Sequence, residues 1–524
     1  MKKLALIGLF LVIITTLVVS RVLYLDSGIH FSEPDEWSYD IASKSLSNEI
    51  IPKVAGRPLL EQSPVFEYLA HWINSVVKDT EYPKTFLATR TISVISSIVL
   101  ALVIFLYTRR KENPTVAWYS LIFFTLTPIV LFYSKMGLRE MLLILCLFSF
   151  YLCYEKFMYT KSKVKWAVLA GLTLGISVLI KTTALIFFLI PFFYLVLSFF
   201  DSVNIKSTQF NQFWFKLKLS SKWRPRSFYN FIVVFVSGLV VVGSFLPYYF
   251  AYPAFFVDRF YLTFFSHNSE GTLQKIRTII YYLNHLDTWL SIPLLSLSIV
   301  GVVLLIFGKK SKWFLSLVFS ALICLFLLGN EPRGRYFVLL SPFLVIYASL
   351  GLDFVIQKIN RTRNSNIYKF ILPLIVFAGI IPSTAVAFKG GQHSVFEQMS
   401  EYLRSNNHSE LIYSSFWPPI VQYATGIPTA RLTSVVPDLT RDYNELPKFS
   451  PYMTVVAEDY LQNNNTYIII HSPTDPDELS VRKESIENIT SGRTPTKIFT
   501  DGKPNFPEKL NNFELKVYKF DKPQ

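Results

Sequence analysis

Glu33-Pro34-Asp35-Glu36 is the first stretch of this 524-residue chain whose residue types and spacing invite chemistry. Ser32 can cap a helix, and Pro34 sits in its first turn, where the missing N–H costs nothing. A helix running to about Leu46 puts Asp35 and Glu36 in its first turn, where the positive end of the helix dipole favours ionised carboxylates. A carboxylate held charged and oriented can take a proton from a hydroxyl or an amine. Cations that can neutralise developing negative charge stand at Arg57, Arg139, Lys181 and Arg335. Each has a plainer reading: the Asp-Glu pair as capping, Lys181 as a snorkelling anchor, Arg139-Glu140 as a structural ion pair.

The elements that must hold these residues are hydrophobic. The chain is 51% apolar, 16% aromatic and 17% charged, with 47 Phe and 29 Tyr, against roughly 25% charged in a soluble protein. Apolar windows of ~20 residues, the length needed to cross hydrocarbon, recur at roughly 3–25, 86–108, 115–134, 138–157, 165–181, 183–200, 228–250, 288–307, 313–329, 336–357 and 368–388. About eleven transmembrane helices make this a polytopic α-helical membrane protein. Cys146, Cys153 and Cys324 lie inside apolar runs and read as small packing residues.

The net charge of +15 has a topological explanation. With the N-terminus inside, every inner loop is basic: Lys2 and Lys3, Arg109 to Lys111, Lys156 to Lys165, Lys206 to Arg226, Lys309 to Lys312, and Lys358 to Lys369. That is the positive-inside pattern, and it argues against nucleic acid as a partner. The outer side then holds a first loop (26–85), a second (251–287) and a tail (389–524). Within the tail, Leu411 to Ser415, Tyr467 to His471 and Phe513 to Phe520 read as strands and Val395 to Asn406 as a helix, a small α/β domain. In the first loop, Ala55 to Phe66 is extended and turn-rich. Ser63 and Pro64 then start a second helix to about Trp72, with Phe66, Leu69, Ala70 and Ile73 on one apolar face, as an interfacial helix requires.

These residues together resemble the GT-C fold membrane glycosyltransferases, and within them the protein O-mannosyltransferase and aminoarabinose transferase-like group. Asp35-Glu36 after the first helix resembles that group's Asp-Glu pair. Gly56-Arg57-Pro58-Leu59-Leu60-Glu61-Gln62-Ser63-Pro64 is similar to its Gly-x-Pro-x-x-Glu-Lys-x-Pro stretch, with Gln62 where a Lys is common. Arg139-Glu140, the Gly171 to Lys181 helix end, and Arg335-Tyr336 before Pro342 resemble further motifs in the family's order, and His267 resembles a His of the later outer loop. The tail contributes nothing to the resemblance.

The resemblance implies a transmembrane catalytic module within 1–388, and the tail's composition and the charge pattern add an extracytoplasmic domain (389–524). The resemblance also implies inverting transfer of a sugar from a polyprenyl-phosphate donor to a protein, lipid or glycan acceptor on the outer face. Asp35 and Glu36 would be catalytic; Arg57, Arg139, Lys181 and Arg335 would bind the donor phosphate; Glu61, Glu140, His267 and Tyr336 would complete the site. No cofactor is expected: the chain has no Cys-x-x-Cys, His-Glu-x-x-His, EF-hand or Walker pattern. A divalent ion between Asp35 and Glu140 is conceivable and is not predicted. The competing readings are a glycolipid transporter or flippase, which would want polar residues at mid-membrane and inverted repeats, and a non-catalytic scaffold.

Overall fold

The computed structural model describes residues 14–22, 34–47, 50–54, 57–58, 63–77, 86–159, 163–192, 200–202, 218–219, 225–245, 247, 250, 272–307, 313–328, 334–363, 368–389, 403, 411–414, 429–431, 466–472, 496–504 and 512–520. Among these, Leu87–Lys111, Glu140–Met158 and Gly334–Asn360 are helices long and apolar enough to cross a membrane, and two bent helix pairs pass the same test. Five shorter apolar helices occupy most of the remaining windows.

In chain order, α1 (Pro34–Ser45) and α2 (Val65–Val77) flank a short hairpin of β1 (Lys53–Val54) and β2 (Arg57–Pro58). The bundle follows with α3 (Leu87–Lys111), α4 (Pro114–Leu126), α5 (Pro128–Lys135), α6 (Glu140–Tyr159) and α7 (Lys163–Ile180). A 3-10 stretch, Thr182–Phe188, comes next. It lies where the window 183–200 anticipates a straight span, and Phe200–Ser202 at the window's end is a strand, β3, paired with β4 (Lys218–Leu219). The helices resume with α8 (Pro225–Gly243), α9 (Thr272–Leu290), α10 (Ile292–Phe307), α11 (Phe314–Leu328), α12 (Gly334–Phe337), α13 (Ser341–Arg363) and α14 (Tyr368–Lys389).

Two windows are bent, each for a readable reason. Pro128 cannot donate the helical hydrogen bond, and the axis turns 58° between α4 and α5. Between α9 and α10 the turn is 110°. There Ser291 takes φ 68° while its N–H still donates to the Asp287 carbonyl at 3.0 Å, a left-handed residue ending a helix. Pro293 then falls in the first turn of α10, where proline is tolerated. The second outer loop expected at 251–287 is therefore helical from Thr272 onward.

The core runs through α3 to α7 and α13, with Phe123, Tyr133, Tyr151, Tyr154 and Tyr347 fully buried. At the end carrying Lys111, that residue pairs with Glu155, and Trp313 Nε1 donates to Glu112 at 2.6 Å, which ties α3, α6 and the start of α11 together. The three cysteines are free. In the tail, five strands form one sheet, β5 (Leu411–Ser414), β6 (Thr429–Arg431), β7 (Thr466–Ser472), β8 (Thr496–Pro504) and β9 (Asn512–Phe520), in the order β6-β5-β7-β9-β8. The pairs β5–β6 and β5–β7 are parallel, while β9 runs antiparallel to β7 and β8. The helix anticipated at 395–406 falls outside the described residues apart from Leu403.

The approach of α7 to α8 fixes where Lys181 emerges. A Cβ on Gly171 would lie 2.3 Å from the Val234 carbonyl oxygen, and one on Gly175 would lie 2.7 Å from that of Gly238. Small residues four apart let two helices touch backbone to backbone. Gly171→Val should lower the stability of the detergent-solubilised protein by about 1–3 kcal/mol through overpacking, read as a fall in thermal midpoint. Ile176→Val, on the exposed face of the same helix, should leave the midpoint nearly unchanged.

Candidate active site

One end of the bundle gathers the first turns of α1, α3, α6 and α12, the loop 136–139 and the end of α7. Four ion pairs meet there. Asp35 pairs with Arg335. Glu36 Oε1 accepts from Arg90 Nε at 2.8 Å and from the Gly137 backbone N–H at 2.7 Å. Glu67 Oε1 accepts from Arg139 Nη2 at 2.5 Å, and Glu140 Oε1 from Lys181 Nζ at 2.6 Å.

Aromatic rings lie among these charges. Arg139 sits 4.4 Å from the centre of the Tyr39 ring, and the Tyr336 ring lies 4.9 Å from Lys181 Nζ and 5.4 Å from Arg335 Cζ. Each ring face is an electrostatic seat for a cation. Burial, reinforced by the Asp35 charge, holds the Tyr39 phenol well above its usual value, so this group stays a hydroxyl. Burial also pushes the Glu67 carboxyl up, with the Arg139 guanidinium and its hydrogen bond working against the shift.

Local sequence explains the placement. On α1, Tyr39 follows Asp35 by one helical turn, and its ring meets Phe66 of α2 edge-on at 5.6 Å. Asn74 Nδ2 donates to Ser43 Oγ at 3.1 Å, and Tyr68 donates to the Ile50 carbonyl at 2.8 Å, which pins α2 beside α1. Ser93 donates to the Leu138 carbonyl at 2.9 Å and holds the loop before Arg139 against α3. At Gly137 a Cβ would stand 2.3 Å from Thr89 Oγ1 and 3.1 Å from Glu36 Oε1, so the loop can present its N–H to Glu36 only without a side chain.

Of the residues singled out by sequence, Asp35, Glu36, Arg139, Glu140, Lys181, Arg335 and Tyr336 come together here. Arg57 lies in β2, with its side chain outside the described residues, as are Ser32, Glu61 and His267 altogether. Sequence reasoning missed Arg90, Glu67 and Tyr39. Arg90 is a lone charge in the first turn of an apolar window, and Glu67 is the one acid on α2, both of which are signals in their own right. The apolar face assigned to α2 is also divided. Phe66 and Ala70 are buried, but Glu67 and Asn74 share that face because each has a polar partner, while Leu69 points outward and Ile73 is partly buried. Among the described residues, His285 on α9 is a buried histidine near this end: it stacks on Trp289 at 5.2 Å, and Trp289 lies 5.1 Å from Phe337.

No group of three or more His, Cys, Asp or Glu able to hold a metal ion occurs among the described residues. Asp35 and Glu140, the two carboxylates a divalent ion would need, each face a cation instead.

The fold is that of ArnT and AglB, which places the chain in the GT-C fold class that its sequence resembles. Within that class, residues 61–211 match the model of the family described as dolichyl-phosphate-mannose-protein mannosyltransferase. The matched stretch holds Glu67, Arg90, Arg139, Glu140 and Lys181, while Asp35, Glu36 and Arg335 lie outside it. ArnT from Cupriavidus metallidurans, solved bound to undecaprenyl phosphate, superposes with a TM-score of 0.61 at 13% identity over 99% of each chain. The oligosaccharyltransferase AglB from Archaeoglobus fulgidus, solved with an inhibitory peptide and a dolichol-phosphate, superposes with a TM-score of 0.58 at 14% identity, covering 98% of this chain and 74% of that one. No curated protein sequence matches the chain.

Stability alone does not account for such a cluster, since buried ion pairs can often be replaced by apolar residues at no loss. Removing one partner is different. Arg139→Met should leave Glu67 charged and buried and cost about 3–5 kcal/mol. Adding Glu67→Met should recover most of that loss in thermal unfolding. A double variant no more stable than the single one would show that the pair is not an isolated electrostatic unit.

Proposed function

We propose that this chain is an inverting glycosyltransferase that moves a sugar from a polyprenyl-phosphate carrier to a protein, lipid or glycan acceptor at the extracytoplasmic membrane face. The observation that carries the reading is the meeting of Asp35 with Arg335, the Lys181–Glu140 pair and the Tyr336 ring at one end of an apolar bundle. The relatives support it: ArnT was solved with undecaprenyl phosphate and AglB with a dolichol-phosphate and a peptide.

In this reaction Asp35 takes the proton of the acceptor hydroxyl or amine as that atom attacks the anomeric carbon. The bond from the anomeric carbon to the phosphate oxygen breaks from the opposite side and its electron pair leaves with the carrier phosphate. Inversion follows from this single displacement. Arg335 and Lys181 stabilise the charge gathering on the leaving phosphate, with Arg57 and Arg139 as further phosphate ligands. Glu36, through Arg90 and the Gly137 N–H, fixes the first turn of α1 and so aims Asp35. Glu61, Glu140, His267 and Tyr336 complete the site, and no cofactor is required.

Orientation follows from charge. Arg109, Arg110 and Lys111 close α3 at the end opposite Arg90, so a positive-inside arrangement puts the site outside, the N-terminus inside and the 389–524 domain outside. About eleven spans and the division at 388 belong to the same reading.

Asp35→Asn should lower transfer of labelled sugar from a panel of polyprenyl-phosphate sugars by about 10²–10⁴-fold with abundance unchanged; wild-type turnover would remove Asp35 from its role, and transport or scaffolding would be indifferent to the change. Lys181→Ala should raise the donor concentration needed for half-maximal rate, and an unchanged donor dependence would return Lys181 to an anchoring role.

A further inference from the structure

Charge balance at this end of the bundle imposes a condition on donor binding. The four pairs join four carboxylates to four cations, so the set is formally neutral and each of the four cations is already matched. A polyprenyl-phosphate sugar brings one negative charge, and the carrier phosphate it leaves behind bears more. Each of these four described cations can meet the phosphate only by leaving its carboxylate.

The pairs differ in how open they are. In Glu36–Arg90, Glu67–Arg139 and Glu140–Lys181, no side chain is more than 5% exposed. In Asp35–Arg335 the carboxylate is 29% and the guanidinium 9% exposed. Opening a closed pair strands a buried charge, the costliest outcome for an ion pair. Asp35 can be released into water without that cost, and Arg335 keeps the Tyr336 ring beside it while its partner changes.

We infer that the donor phosphate exchanges with Asp35 for Arg335, so that donor binding itself frees the carboxylate that accepts the proton. This rests on the reading of Asp35 as base and Arg335 as phosphate ligand. While Arg335 engages Asp35 Oδ2, the carboxylate is held toward the guanidinium instead of toward an acceptor. Once the phosphate holds Arg335, Asp35 is released a short distance from the anomeric carbon. The donor must therefore bind before the acceptor can react, and departure of the carrier phosphate together with loss of the accepted proton from Asp35 to solvent restores the resting pair. No covalent step beyond the transfer is involved.

The exchange predicts a gain where a purely catalytic Asp35 predicts none. Apparent affinity is the intrinsic affinity scaled by the fraction of protein in the competent state. If the pair is closed nine-tenths of the time, removing Asp35 tightens phosphate binding about 10-fold. The probe is undecaprenyl phosphate, titrated into purified full-length protein in detergent, with thermal unfolding checking that each variant is folded. Asp35→Asn and Asp35→Ala should each bind it more tightly than the wild type, and Arg335→Gln more weakly. In the Arg335→Gln background, Asp35→Asn should add nothing.

Unchanged or weaker binding by the Asp35 variants would overturn the exchange. So would a gain that persists without Arg335, since that would be general charge repulsion. A wild-type protein that binds no undecaprenyl phosphate would defeat the functional reading itself, a result distinct from either of these.

Discussion

Three carboxylates and three cations have to leave water together at one end of the bundle, with the more open Asp35–Arg335 pair beside them, and much of the remaining structure is arranged so that this can happen. An unpaired buried charge costs several kcal/mol, so each acid needs its cation within hydrogen-bond reach before the helices can close. The pairs cross between elements far apart in sequence: α1 to α12, α1 to α3, α2 to the loop before α6, and the start of α6 to the end of α7. The charges thus act as registration marks that fix which helix ends lie level. The apolar seams, with their weaker directional demands, then pack around that alignment.

This explains why two helices that cross nothing are nonetheless held firmly. Neither α1 nor α2 spans the bundle, yet each delivers carboxylates downward into it, Asp35 and Glu36 from one and Glu67 from the other. Hydrogen bonds between Asn74 and Ser43, and between Tyr68 and Ile50, make the two helices one piece. The helices α1 and α2 together cover this end of the bundle, and the catalytic carboxylate proposed here belongs to α1 while its cations belong to the bundle.

The sequence made the membrane class, most of the helices and the carboxylates after the first apolar window legible, because hydropathy and helix-start chemistry are local. It also pointed to Arg139, Glu140, Lys181 and Arg335 as charges at helix ends. Which acid meets which base was not legible. Arg139 lies beside Glu140 in sequence but pairs with Glu67, and Glu140 reaches across to Lys181; pairing is decided by tertiary distance, to which adjacency in the chain is a poor guide. The bends escaped for a related reason. A 19-residue average smooths over a single Pro128 or Ser291, and the axis turns on one residue's backbone. The face of α2 was misjudged because Phe66, Leu69, Ala70 and Ile73 were taken as one face of an interfacial helix, whereas Phe66 and Ala70 turn to the protein beside Glu67 and Asn74, whose polar partners lie there.

That last feature gives the bilayer a place against α2. On α2 the side toward the protein carries Glu67 and Asn74, while Leu69, Trp72, Val76 and Val77 look away from it. A helix turned this way has its polar work on the inside and needs an oily medium, not water, against its back. Glu67 and Arg139 are already shut in by the protein itself, so lipid against that face would cover the apolar residues of α2 and back the helix rather than dry the pair. Lateral pressure and headgroup packing would then bear on how α2 is held, in the way that a neighbouring subunit would in a soluble assembly.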